Sequence, residues 1–155
     1  MNGWLVGANV IASLIAADGA PSVKQWARVV DERRLFISIL TLAAYDKGIA
    51  NLPADDADVA RYIGARDALE ARFGGRILSL DDKIVRRWGA ISGRVKGQTG
   101  HAQPVIDTLL AATAIEANLY LVSRNTRDLA NSGAAVFDPW RDDVAAFPLA
   151  PARRG

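Results

Sequence analysis

Short apolar runs alternate along the chain with stretches of helical spacing. The runs typical of buried strands are WLV at 4–6, LFISI at 35–39, RILSL at 76–80, LYLVS at 119–123 and AAVFD at 134–138. Between these runs, apolar residues recur every three or four positions, as they do on one face of an amphipathic helix. Because parallel strands need crossover connections, the alternation predicts an α/β fold: a three-layer α/β/α arrangement around a central parallel sheet.

Capping residues and helix breakers predict where the helices begin and end. Residues suited to the first turn of a helix are Asn9, Ser22, Thr41, Asp55, Asp81 and Pro104. The glycine pair at 74 and 75 is expected to end the helix that begins near Asp55. Asn118 is expected to end the helix that begins at Pro104, just before the fourth strand.

The length of 155 residues is typical of one domain with one hydrophobic core. We expect that domain to span residues 1–145 and to be followed by a flexible tail at 146–155. With no cysteine and a single histidine, His101, the chain has no disulfides, thiolate zinc sites or thiol nucleophile. The lack of cysteine suits a cytoplasmic location. The apolar start has no preceding Lys or Arg and is too short to span a bilayer, so we predict folded structure there and no membrane association.

The net charge of +2 and the isoelectric point near 9.2 are mildly basic. Arginine supplies most of the positive charge, including the pairs Arg33–Arg34, Arg86–Arg87 and Arg124–Arg127. Such a balance permits a phosphate-rich partner without requiring one, since arginines also serve as ordinary solvated surface.

Two aspartates near the predicted strand ends, Asp107 and Asp128, are candidates for a functional site. In open parallel sheets, ligands bind beyond the carboxyl ends of the strands, where the strand order reverses. Both aspartates also have structural interpretations: Asp107 would interact with a helix dipole, and Asp128 would be the third residue of a turn capped by Asn125. However, the face of Asp107 is apolar, with Leu110 and Ala111 beside it, and a carboxylate there requires a cation or donors. Both interpretations remain open on this pattern alone.

The segment VIDTLLAATAIEANLYLVSRNTRDL at 105–129, followed by VFDPW, resembles the C-terminal half of PIN-domain proteins. It is most similar to VapC-type toxins of bacterial type II toxin–antitoxin pairs. The likeness extends to WLVGANVIASL at 4–14, LFISILTLAAYDKGIANLP at 35–53 and GRILSLD at 75–81, in the order that the family has them. Each motif is weakly specific alone, but together they cover almost the whole chain.

The resemblance implies a PIN-like fold and a ribonuclease that cleaves RNA phosphodiesters with Mg²⁺ or Mn²⁺. Carboxylates suit this chemistry because hard oxygen ligands hold Mg²⁺, and the ion polarises the phosphodiester and helps to form the attacking hydroxide. The resemblance also implies three partners: RNA, a second copy of the chain in a homodimer, and a cognate antitoxin. In the family, the antitoxin segment lies across the acidic groove, often with an arginine aimed at the carboxylates.

The resemblance assigns the metal-binding and catalytic roles to Asp107 and Asp128, which match the family's third and fourth acids. Asn9, Ser123 and Asn125 match polar positions that support the site.

Two acid positions of the family pattern are vacated in this chain. The first strand of the family ends in Asp-Thr-Asn, whereas this chain has Gly7 and Ala8 before the asparagine, and Ala44 stands where the family has glutamate. Asp46 is expected to lie on the surface, because two helical positions differ by about 200° of rotation. We therefore expect weak or absent metal binding. We expect the triple replacement Gly7→Asp, Ala8→Thr and Ala44→Glu to restore tight Mn²⁺ binding.

Three functional classes follow from these observations. The first is a toxin ribonuclease whose catalysis is impaired or lost, and the second is a non-catalytic pseudo-nuclease that binds antitoxin or RNA. The third, a phospho-receiver domain, shares the doubly wound architecture but is the weakest, because its acid pocket at the first strand is missing too.

Overall fold

The computed structural model describes residues 1–151 and contains a five-stranded parallel sheet. The strands are β1 (Trp4–Val6), β2 (Leu35–Ser38), β3 (Ile77–Leu78), β4 (Tyr120–Val122) and β5 (Val136–Phe137). They lie in the order β3-β2-β1-β4-β5, and every neighbouring pair is parallel. With helices packed on both faces of this sheet, the predicted three-layer α/β/α fold is confirmed.

In the part of the chain that the structure describes, seven α-helices connect and cover the strands. They are α1 (Ala8–Ile15), α2 (Pro21–Val29), α3 (Ile39–Asn51), α4 (Ala57–Phe73), α5 (Asp82–Thr99), α6 (Val105–Ala117) and α7 (Thr126–Leu129). No helix within residues 1–151 is both long and apolar enough to cross a membrane.

Alternating residues of β1 contribute to two separate hydrophobic clusters. Trp4 and Val6 belong to a large aromatic cluster shared with α1, α2 and α4, whereas Leu5 belongs to a second cluster shared with α6 and α7. Successive side chains of a strand point to opposite faces of the sheet, so β1 is the central strand that both helical layers cover.

Some helices begin at residues other than the predicted caps. Helix α1 has Gly7 at its N-cap, and the predicted cap, Asn9, lies exposed inside the helix. Ser38 caps α3, since its hydroxyl accepts from the Leu40 N–H, and the predicted cap Thr41 is buried one turn further on. In both places the strand runs directly into the helix, so the residue just before the helix is already extended, as an N-cap residue must be.

The segment after β5 packs against the domain as far as the structure describes it. Phe147 and Leu149 contact the aromatic cluster, and the Tyr120 hydroxyl donates to the Pro148 carbonyl oxygen at 2.8 Å. The Ala150 N–H donates to the Met1 carbonyl oxygen at 2.8 Å. Residues 146–151 of the predicted flexible tail are therefore held at the surface of the domain, and residues 152–155 lie outside the described residues.

We predict that the end of α6 depends on the residue type at position 118. Asn118 is left-handed, with φ 56°, a region that asparagine and glycine tolerate best. Asn118→Val should lower the free energy of unfolding by about 1–2 kcal/mol, because a β-branched side chain is strained there. Asn118→Gly should be tolerated, and urea unfolding of both variants checks this. Equal losses in the two variants would contradict the conformational explanation.

Candidate active site

A cavity of about 230 Å³ lies at the carboxyl ends of β1 and β4. The strand order reverses between these two strands, since the chain continues from β1 to β2 on one side and later to β4 on the other. This is the place where doubly wound sheets bind their ligands. The cavity is lined by Gly7, Ala8, Asn9, Ile106, Asp107, Leu110, Leu121, Ser123 and Leu129.

Asp107 is held in the cavity by the turn that follows β4. The Asn125 side-chain N–H (Nδ2) donates to Asp107 Oδ2 at 2.8 Å, and the Asn125 backbone N–H donates to Ser123 Oγ at 3.0 Å. Asn125 occupies the N-cap position of α7, as the sequence indicates, but its side chain caps no helix amide. It serves the Asp107 carboxylate instead, so Asp107, Ser123 and Asn125 form one connected group.

Asp128 lies on α7 close enough to Asp107 for their charges to interact. Burial raises the pKa of Asp107 most, the Asn125 hydrogen bond lowers it, and the negative charge of Asp128 raises it further. The resulting pKa of Asp107 lies above its usual range. Neither aspartate forms an ion pair with a Lys or Arg of residues 1–151. The pocket therefore holds a partly buried carboxylate without a cationic partner from the described chain.

Asn9 also lines the cavity, although it is exposed and makes no capping hydrogen bond. The structure thus brings Asn9, Asp107, Ser123 and Asn125 to one place, with Asp128 beside them on α7.

The two positions that depart from the family pattern lie in adjoining cavities. Gly7 is buried at the end of β1 and lines the cavity of Asp107. Ala44 is exposed on α3 and lines a neighbouring cavity of about 300 Å³ with Tyr45 and Tyr62. Ala8 lines both cavities, so they meet at the start of α1.

Asp46 does not replace the missing carboxylate at position 44. Its Oδ1 forms an ion pair with Arg66 Nη1 of α4 at 2.8 Å, and 58% of its side chain is exposed. The prediction that Asp46 lies on the surface is confirmed.

The residues present do not fit a tightly held divalent ion. Within residues 1–151 there is no group of three or more Asp, Glu, His or Cys side chains that could hold a metal. Asp107 Oδ2 already accepts from Asn125, and the strand-end position beside it is glycine. Mg²⁺ bound through one or two carboxylates relies on substrate phosphates and water for its remaining ligands.

Two contacts near the site were not predicted from the sequence. Gln103 Nε2 donates to the backbone carbonyl oxygen of Asp128 at 2.8 Å and so ties the loop before α6 to α7. Asp138, at the end of β5, is buried and accepts from the Trp140 N–H at 2.8 Å. The motif VFDPW marks the second contact as an Asx-type turn, but nothing in the sequence marks the first, because its acceptor is a backbone atom.

The model of the PIN domain family matches residues 5–133, and the chain belongs to that family. It is 25% identical to the toxin FitB of Neisseria gonorrhoeae over 138 residues, which cover 89% of this chain and 99% of that protein. It is 24% identical to the VapC ribonuclease Y4jK of Sinorhizobium fredii, over 85% of this chain and 94% of that protein.

Solved structures of related complexes share the fold. A chain of FitAB bound to a DNA fragment superposes with a TM-score of 0.80 and 24% identity, over 90% of this chain and 97% of that chain. A chain of VapBC-1 from nontypeable Haemophilus influenzae superposes with a TM-score of 0.72 and 19% identity, over 89% of this chain and 98% of that chain. The arrangement of sheet and helices is thus that of the solved chains.

We predict that Asp107→Asn stabilises the protein at neutral pH. Folding raises the pKa of Asp107, so ionising this carboxyl group costs stability. The loss of stability develops as the pH rises from the usual pKa of an aspartate to the raised pKa of Asp107. Below that window both folded and unfolded chains are protonated, and the variant should gain little. Urea unfolding at a series of pH values should therefore show a difference that grows towards neutral pH.

The matched comparison is the same substitution in an Asp128→Asn background. Removing the charge of Asp128 removes one cause of the raised pKa, so the gain from Asp107→Asn should be smaller there. A gain that is independent of pH in both backgrounds would contradict this account.

Proposed function

We propose that this protein is the toxin component of a toxin–antitoxin pair and that its PIN ribonuclease activity is very weak or lost. The observation that carries the proposal is the site at the strand ends, where Asp107 lines the cavity and Asp128 lies beside it on α7. The other two acid positions hold Gly7 in the same cavity and Ala44 in the adjoining one. The similarity to FitB and to a VapC ribonuclease, over most of the chain, supports the proposal.

The loss of two carboxylates has a large expected effect on phosphodiester cleavage. PIN-type chemistry, as the resemblance implies, uses acids to hold Mg²⁺ or Mn²⁺ against the scissile phosphate. Removing a single charge-stabilising group from an active site commonly costs about 10²–10³ in rate. In this chain, the remaining roles of Asp107 and Asp128 are to hold a divalent ion weakly, with RNA phosphate completing its ligands, and to give the pocket its negative charge.

The proposed partners are a cognate antitoxin, RNA and a second copy of the chain. FitAB and VapBC-1, by their names, are assemblies of two components, which supports an antitoxin as the principal partner. Arg124 and Arg127, on the turn that positions Asn125, are suited to RNA phosphates. Arg124 also stacks on the Trp140 ring, with its guanidinium carbon 5.0 Å from the ring centroid, which fixes its position beside the pocket.

The alternative is a pseudo-nuclease that binds antitoxin or RNA without any cleavage. The lack of a third metal-binding side chain within residues 1–151 favours this alternative.

We predict that the purified protein cleaves structured RNA in Mn²⁺ no faster than its Asp107→Asn variant. The VapC ribonuclease Y4jK, assayed in parallel, is the positive control, and this chain should be slower by about 10² or more. Cleavage clearly above the Asp107→Asn variant would show that the pocket is an active nuclease and would exclude the binding-only alternative. RNA retained in a gel-shift assay without cleavage would favour that alternative.

We predict that the chain copurifies with the product of a short neighbouring reading frame, which would be its antitoxin. Asp107→Asn should weaken that complex. The partly buried carboxylate has no cationic partner within residues 1–151, so it is available to pair with a cationic side chain of the antitoxin. Titration calorimetry of the two forms measures the difference. Equal affinities would place the antitoxin contact away from the acid pocket.

A further inference from the structure

The end of β1 lies so close to β4 that position 7 has no room for a side chain. The Gly7 N–H donates to the Val122 carbonyl oxygen at 2.9 Å. A Cβ atom on Gly7 would lie 2.9 Å from that same oxygen, closer than Cβ atoms approach their neighbours in real proteins. The oxygen belongs to the backbone of a buried strand, so it has no rotamer by which to move away.

We infer that the backbone now excludes an acid from position 7, so that substitution there does not complete a metal site in this PIN pocket. The inference deepens the proposed loss of nuclease activity and rests on it for the identification of position 7 as an acid position. The obstacle is at the Cβ position: any side chain at position 7 has to displace the Val122 carbonyl before it can enter the cavity that Gly7 lines.

An acid forced into position 7 would also disturb the acid that remains. Val122 is followed directly by Ser123, whose hydroxyl accepts from the Asn125 N–H, and Asn125 in turn donates to Asp107. Displacing the Val122 carbonyl therefore displaces the turn that orients Asp107. A carboxylate gained at position 7 would therefore disturb the hydrogen bonds that hold the Asp107 carboxylate.

Position 44 differs from position 7 in this respect. Ala44 is exposed and lines an open cavity of about 300 Å³ that adjoins the acid pocket at Ala8. A glutamate at position 44 has space to extend without moving a strand. Position 44 is thus open to a longer side chain, whereas position 7 is closed to one.

The first experiment compares Gly7→Ala with Gly64→Ala in urea unfolding. Gly64 lies exposed in α4, and a Cβ there would meet no atom within 4 Å, so alanine should be neutral or stabilising. Gly7→Ala should lower the folding equilibrium constant by roughly tenfold or more, the effect of forcing an extra methyl group into a packed site. The φ of Gly7 is −71°, which any residue adopts, so backbone strain contributes nothing to a loss. Because alanine is a weaker N-cap than glycine, Gly7→Ser, which adds the same Cβ but caps well, should show a similar loss if the contact with β4 is its cause.

The second experiment measures Mn²⁺ binding by calorimetry for Ala44→Glu, Gly7→Asp and the double variant. Ala44→Glu should bind Mn²⁺ more tightly than the unmodified chain, and adding Gly7→Asp should bring no further gain. The inference is overturned if Gly7→Ala is as stable as Gly64→Ala, or if the double variant binds Mn²⁺ more tightly than Ala44→Glu.

The two experiments separate this inference from the proposed function. If Gly7→Asp fails to fold, the Gly7→Ala comparison already reports the contact that excludes it. If Gly7→Ala is destabilised but Ala44→Glu gains no Mn²⁺ affinity, the closure of position 7 stands and the assignment of position 44 to an acid site fails.

Discussion

The parallel pairing of β1 with β4 determines both the centre of the sheet and the geometry of the pocket. Its register joins Trp4 to Tyr120, Leu5 to Leu121 and Val6 to Val122. All of these residues are buried, so the two strands are fixed by the core on either side of the sheet. Because the strands are parallel, their carboxyl ends meet, and residues far apart in sequence become neighbours at the point where the strand order reverses.

The same pairing limits what the pocket can become. Close approach of the strand ends allows the Gly7 N–H to bond to β4, and it leaves no space for a Cβ at that position. Protein interiors are too closely packed to absorb an extra group without displacement of their neighbours. At position 7 the glycine and the tight strand contact are thus two aspects of one structure, whereas Ala44 lies beside an open cavity.

The Asp107 carboxylate shows how the chain itself holds a partly buried acid in the pocket. Burial and the nearby charge of Asp128 both disfavour ionisation of Asp107, and the Asn125 amide is the donor that offsets them. A single neutral hydrogen bond compensates a partly buried charge only in part, which is why the pKa of Asp107 stays raised. Such a carboxylate favours an interaction with a cation.

The sequence by itself determined the α/β architecture, because apolar runs and helical spacing are local patterns that follow directly from how strands and helices bury their side chains. It also identified Asp107, Ser123 and Asn125, which the structure brings together, and the absence of acids at positions 7 and 44. Only the tertiary structure decided that the Asn125 side chain serves Asp107, and that position 7 is closed while position 44 is open. The reason is that these features depend on distances between elements far apart in sequence: β1, β4 and α6 for Gly7 and Asp107, and α1, α3 and α4 for Ala44. Packing of the whole domain sets those distances, and no local pattern of residues records them.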